Sequence, residues 1–356
     1  MSFKVLKLNE TPVRTSKNFN INNIKVDDLE FPEGLDKFKN VFFSSANGTQ
    51  LLEHNGKLLE NDVKLVYGIG KIAENNVLCE HNSVLKLNIK NDDNVHLNFK
   101  FDEDNLDLVN FIEINAEDNC NIVIEYNSNT NKKCFHNGIL KLDARNKSNV
   151  NITIVNFLND ESINLEAIEN NIEQDCNVHY TIIDIGAKTS ISNYYSNMIG
   201  SNGKNELKTV YLGTNNQIKD INYIAELFGE KTDINIDVQG ALRNNSKKNF
   251  KGTIDFKRGC KKAVGNENEY CMLLSDDSKS IALPMLLCSE EDVEGNHSTA
   301  SGKVDQAELF YIMTRGIPYT DAVKLIVKAK FNEIINRISD DELRNRVLEE
   351  IDRRLD

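Results

Sequence analysis

The chain of 356 residues has no tryptophan, only four prolines, and no apolar run near the ~20 residues that span a bilayer. Met1–Lys7 is too short and too mixed to serve as a signal peptide, so secretion and membrane insertion are not expected. Basic charge is in deficit, 42 Lys and Arg against 55 Asp and Glu, for a formal net charge of −13. That balance argues against nucleic acid or an anionic membrane as the main partner, since both attract basic surfaces. The seven cysteines are odd in number and lack a framework spacing, which fits reduced thiols in a cytoplasmic protein. No GxSxG, HExxH or Walker sequence occurs, so nothing points to nucleophilic hydrolysis.

With 40% hydrophobic and 27% charged residues, the chain can bury a core. At about 100–200 residues per domain, its length fits two or three domains, or one extended repeat-like body with small appendages. Residues 1–80 are irregular, with Pro12, Pro32, Gly34 and an asparagine-rich stretch (Asn18, Asn20, Asn22, Asn23) that favours turns. Short helices or loops are expected there. From residue 81 to 302 apolar and polar residues alternate, as in Leu85-Lys-Leu87-Asn-Ile89, Val95-His-Leu97-Asn-Phe99 and Ile234-Asn-Ile236-Asp-Val238. This period-two pattern belongs to strands with one face on a core. No proline falls between Glu33 and Leu283 to remove a ladder donor.

About fifteen short strands without helices between them fit a sandwich, a barrel or a solenoid. Sandwiches usually close well before two hundred residues, whereas a solenoid has no such limit. The abundant asparagine fits stacked turns joined by amide ladders. Residues 303–356 switch to helical period. Asp305-Gln-Ala-Glu308 reads as a capping box, with Gly316 as the stop. A second helix follows Pro318 with Ala322, Leu325, Ile326, Ala329 and Ile334 on one face, and Ser339-Asp-Asp-Glu342 opens a third. Arg353 and Arg354 complement the dipole of that last helix.

Three segments carry candidate chemistry. Gly68-Ile-Gly70 resembles part of a dinucleotide fingerprint, but a strand-like segment follows within ten residues and leaves no room for a crossover helix; a tight turn is the better account. Cys120, Cys134 and His136, and separately Cys176 and His179, lack the paired spacings of zinc sites and read as packed side chains. The third runs from Gly265 through Glu269 and Cys271 to Cys288, Glu290, Glu291, Asp292 and His297, where strands give way to helices. A thiol, carboxylates and an imidazole at the end of a sheet suit a borderline metal such as iron, although single ligands at such intervals also occur without a metal.

The stretches Lys248–Phe256, Met272–Asp277, Leu287–His297 and Leu309–Pro318 strongly resemble the SufB/SufD family, scaffold subunits of the SUF iron–sulfur cluster assembly system. The match is specific over about residues 211–338; upstream it is one of character, with Thr11-Pro-Val-Arg-Thr15 like the family's N-terminal segment. The resemblance implies a mainly β fold: a right-handed parallel β-helix core, a small N-terminal region and a C-terminal α-helical domain. It also implies a heterodimer of B-type and D-type subunits that dock a SufC-type ABC ATPase through their helical domains. A nascent iron–sulfur cluster then forms where the two β-helices meet.

By that resemblance His297 falls on the family histidine. Glu269 occupies the position of the B-type cysteine, with Cys271 two residues later. Gly295 stands where D-type members often carry another cysteine. The chain therefore resembles the D type, a non-enzymatic scaffold. Its candidate metal residues are His297, Cys288, Glu269 and Cys271, and a homodimer is the other arrangement open to it. A B-type subunit is the close alternative. A carbohydrate-binding or carbohydrate-active β-helix is the distant one, and the missing tryptophan and unpaired acidic residues speak against it.

Overall fold

A computed structural model describes residues 2–14, 21–53 and 57–356, so Asn18 and Asn20 lie outside the described residues. The chain opens with β1 (Ser2–Leu8) and β2 (Ile24–Glu30), an antiparallel pair, followed by β3 (Val41–Ser45) and β4 (Leu51–Glu53). Two helices follow, α1 (Glu60–Val63) and α2 (Lys71–Glu80). The expectation of short helices or loops in residues 1–80 holds for α1 and α2 and is corrected before them, where apolar residues such as Leu8, Ile24 and Leu29 are buried from short strands. Gly70 does precede a helix rather than a bare turn. Ala73 and Val77 of α2 find an apolar cluster to cover, and that packing stabilises the helix.

The solenoid is built from β5 (Ser83–Ile89), β6 (Asp93–Phe101), β7 (Asp107–Ala116), β8 (Cys120–Ser128) and β9 (Phe135–Ala144). It continues through β10 (Asn149–Phe157), β11 (Ile163–Ile172), β12 (Asn177–Asp184), β13 (Thr189–Met198) and β14 (Lys204–Gly213). Then come β15 (Ile218–Leu227), β16 (Asp233–Leu242), β17 (Lys247–Phe256), β18 (Ala263–Leu273), β19 (Lys279–Cys288) and β20 (Val293–Lys303). Even-numbered strands stack in one nine-stranded sheet, ordered from β20 to β6 and then β3. Odd-numbered strands stack in another, from β19 to β5 and then β4. Within β5–β20 every pairing is parallel, which makes a parallel β-solenoid of about eight turns.

The register explains why this sequence stacks. Along the even sheet Val95, Ile122, Ile152, Tyr180, Leu207 and Ile236 fall on one interior column, and all are buried. Each such side chain gains about 1.5–3 kcal/mol by leaving water. On the outside Asn121 donates to Asn94 and Asn151 donates to Asn121, at 2.7 and 3.0 Å, giving the expected amide ladder. The turns repeatedly use residues with positive φ, among them Asn146, Asp175, Asn202, Asn215 and Asn244. Asn and Asp enter that region most readily after glycine, so the asparagine content follows from the tight corners as well.

Three helices close the described chain: α3 (Gln306–Thr314), α4 (Tyr319–Ile335) and α5 (Asp341–Leu355). Asp305 caps α3 by accepting the Ala307 and Glu308 amides. Asp340 rather than Ser339 caps α5. The helices lie along the outer face of the even sheet, where Ile326, Val327 and Phe331 pack in one cluster with Val210, Leu212, Ala241 and Met272. Leu325 and Ala329, expected on that face, are exposed instead. The N-terminal segment covers the outer face of the odd sheet in the same way. Each outer face of the solenoid is thus covered over part of its length.

Candidate functional site at the open end of the solenoid

The two ends of the stack differ. At the first coil β3 and β4 pair antiparallel with β6 and β5 and close both sheets. At the last coil β19 and β20 are edge strands, and among the described residues no strand pairs beyond them. Pro284 sits in β19, a place proline tolerates only because an edge strand can spare a ladder donor. Edge strands usually protect themselves with lysine, proline or a bulge. The middle of β20, Gly295-Asn-His-Ser-Thr-Ala-Ser301, carries no charged residue, and every one of its side chains is exposed. Such an edge is free to pair.

His297 stands in the middle of this strand and is exposed. Its register partner on β18 is Glu267, so the interior column that is apolar through Ile236 ends in a carboxyl and then an imidazole. Glu267 is fully buried, and neither carboxyl oxygen has a hydrogen-bond partner among the described residues. Burial, reinforced by the charge of nearby Glu269, pushes its carboxyl up to about 8. The group is accommodated because residue 252 is glycine: a Cβ there would lie 2.2 Å from Glu267 Oε1.

Two residues along β18, the adjacent inward column gives a different result. Glu269 accepts from Lys248 Nζ at 2.7 Å and from the Tyr211 hydroxyl at 3.0 Å, and both charged side chains are buried. The Tyr211 ring occupies the space that Gly240 leaves, since a Cβ at 240 would fall 1.8 Å from it. Cys271, the next inward residue on β18, is buried, and that burial pushes its thiol up. Above it Ser301 and Ser280 hydrogen-bond across the last coil at 2.8 Å. Lys248 itself belongs to an interior polar column on the odd sheet, running through His136, Asn164, Ser190, Lys219, Lys248 and Ser280.

The structure thus divides the four residues nominated from the sequence. His297 and Cys288 are exposed on the two edge strands, whereas Glu269 and Cys271 lie buried one coil below. Cys288 closes β19, in register with Phe256 and with its thiol 2.9 Å from the Glu290 carbonyl, while His297 stands mid-strand on β20. Among the described residues no three His, Cys, Asp or Glu side chains converge on a metal position. His297 and Glu267 are the donors that share a column, an imidazole and a carboxylate of the kind that suits Fe(II). Sequence reasoning passed over Glu267; the signal was an inward carboxylate where the preceding strands carry Ile236 and Leu207.

The other motifs are structural. Cys120, Cys134 and Cys176 are buried, and so is His136, its imidazole 2.6 Å from Asn164 Oδ1 and 3.1 Å from Asn110 Oδ1. Burial drops His136 to about 4, so it is neutral in the core. A groove of about 800 Å³ lies between α5 and the β8 and β10 corners. Its arginines are already engaged, Arg354 with Asp160 and Glu350, Arg346 with Glu125 and Asn127.

Residues 103–330 match the family described as SUF system FeS cluster assembly, SufBD core domain. The chain is 26% identical over 166 residues to the iron–sulfur cluster assembly protein SufD of Bacillus subtilis, covering 47% of this chain and 38% of that protein. It is 21% identical over 194 residues to an iron–sulfur cluster assembly SufBD family protein of Mycobacterium leprae, covering 54% of this chain and 22% of the other. A SufBD family protein of Mycobacterium bovis is 23% identical over 205 residues, 55% of this chain and 52% of its own length. The matched stretches thus span between about a fifth and a half of these relatives.

Proposed function

The chain belongs to the SufBD family of iron–sulfur cluster assembly proteins, and from that membership we propose that it is a D-type, non-enzymatic scaffold subunit. Its open end joins a B-type scaffold subunit, and the two β-solenoids share a nascent iron–sulfur cluster as their cargo. One observation carries the reading: His297 lies exposed in the uncharged middle of an edge strand that has no described strand on its outer side, at the end of the column above a buried carboxyl. A neutral imidazole is a good Fe(II) ligand near pH 7. Glu269 occupies the B-type cysteine position and is held by Lys248 and Tyr211, so the thiolate comes from the partner. Oxygen and nitrogen ligands on one side and a single thiolate on the other hold a cluster loosely enough to pass it on.

The helices supply the second contact. On their outer side Phe310, Tyr311, Met313, Tyr319 and Leu325 are exposed, and this apolar surface takes a SufC-type ABC ATPase. All seven cysteines are free, and no described helix is long and apolar enough to cross a membrane, which fits action in the cytoplasm.

The test is anaerobic co-purification of the chain with B-type and SufC-type partners, followed by iron and sulfide analysis. His297→Ala should leave the complex intact and strip most of its iron. Unchanged iron content overturns the assignment. Recovery of a stable homodimer that excludes the B-type subunit overturns the heterodimer.

A further inference from the structure

Glu267 stands out among the described residues. Its carboxyl is fully buried, and both oxygens lack a partner among the described residues. An unsatisfied buried polar group costs about 1–3 kcal/mol, and more if charged. Lys248 Nζ, on the facing strand, is given to Glu269. The local structure nevertheless makes room for Glu267: Gly252 leaves the space its carboxyl occupies, and a Cβ at 252 would force the carboxyl to shift. An apolar residue would have continued the column set by Leu207 and Ile236 without this cost.

What distinguishes this position is its neighbour. On the next coil the same column holds His297, and beyond it there is no further described strand. The carboxyl and the imidazole are consecutive on one interior face, one below the rim and one on it. A borderline divalent cation satisfies a buried carboxylate and an imidazole together, and Fe(II) accepts this mixed oxygen and nitrogen set.

We propose that Glu267 is a second protein ligand of the His297 site, so that this chain alone takes up one Fe(II)-class divalent cation between its last two coils. The inference rests on the scaffold reading and deepens it: iron enters on the D-type side, held by one carboxylate and one imidazole. The partner then closes the site over it. Cys288 has no part in this first step, since it stands at the end of β19 beside the turn.

The experiment titrates the full chain with Co²⁺ anaerobically, reading the visible absorption of the bound ion and the shift in melting temperature. The wild type should show saturable binding and a rise in melting temperature. Glu267→Gln and His297→Ala should each weaken binding by at least ~10-fold, as loss of a metal-site partner does. Without metal, Glu267→Gln should melt no lower than the wild type. Because the column beneath is apolar, Glu267→Met is the second variant, and it should lose Co²⁺ in the same way. If both Glu267 variants titrate like the wild type while His297→Ala does not, the inference is overturned and the histidine reading stands. If His297→Ala also matches the wild type, or the wild type binds no Co²⁺, the inference is overturned, and the shared-cluster reading is decided by the iron content of the complex.

Discussion

At its N-terminal end the solenoid is sealed: β3 and β4 turn antiparallel across the first coil, and Phe38 fills the interior against Phe101 and Phe99, with ring centroids 5.2 and 6.4 Å away. At its C-terminal end β19 and β20 stop with bare edges; β19 and the start of β20 still lay Ala282, Leu286 and Val293 on the core, but the exposed middle of β20 brings His297, Thr299 and Ser301 rather than a phenylalanine plug. The same backbone architecture thus has one end built for stability and one left unfinished. Stability alone does not account for the second. An uncapped coil exposes ladder donors and acceptors, and an aggregation-prone edge is tolerated where another chain is meant to cover it. The last coils also hold the buried Lys248–Glu269 pair and the unpartnered Glu267 beneath the rim.

Substitutions sharpen this contrast. Phe38→Ala, at the sealed end, should cost about 4 kcal/mol by leaving a cavity, read as a fall in urea midpoint. A loss below about 1 kcal/mol would show that the plug is not what seals that end. Lys248→Met should cost about 3 kcal/mol, since it strands the Glu269 charge in the core. The double variant with Glu269→Gln should recover most of that, and failure to recover would place the role of Lys248 elsewhere.

Midway along the stack, burial raises Glu166 to about 7 although Tyr126 donates to it, with the Asp184 charge adding to the rise. An acid whose pKa is raised by folding stays protonated in the native state while the unfolded chain ionises. Stability from this group is therefore present below the unfolded value near 4.5 and is lost as pH rises towards about 7. Glu166→Gln should flatten that part of the stability–pH curve, measured by denaturant unfolding; an unaltered slope would contradict it. The smallest effect belongs to the open rim. Ile281→Thr on β19, a side chain 42% exposed, should change the stability of the free chain by no more than about 0.5 kcal/mol. It should weaken complex formation in a pull-down with the B-type subunit, and unchanged recovery would remove Ile281 from the interface.

The fold was largely legible because a solenoid writes its register into sequence. Alternating residues such as Ile234, Ile236 and Val238 point inward, and the lack of proline until Pro284 marks where pairing ends. The N-terminal strands were not legible, since β1 and β2 are stabilised by packing on the odd sheet rather than by their own pattern. The helix after Gly70 was hidden for the same reason: a short helix with a weak apolar stripe forms when a partner surface waits for it. At the site, His297 came from family resemblance. Glu267 came only from stacking, because its link to His297 spans thirty positions and exists through strand register alone. Glu269 and Cys271 read as ligands in one dimension and as an occupied ion pair and a buried thiol in three.

Hydrogen exchange of the β19 and β20 backbone amides, compared between the free chain and its complex with a B-type subunit, tests the unfinished end most directly. The account predicts fast exchange across Gly295–Ser301 in the free chain and strong protection in the complex. Protection that appears elsewhere, with β20 still exchanging freely, would contradict it.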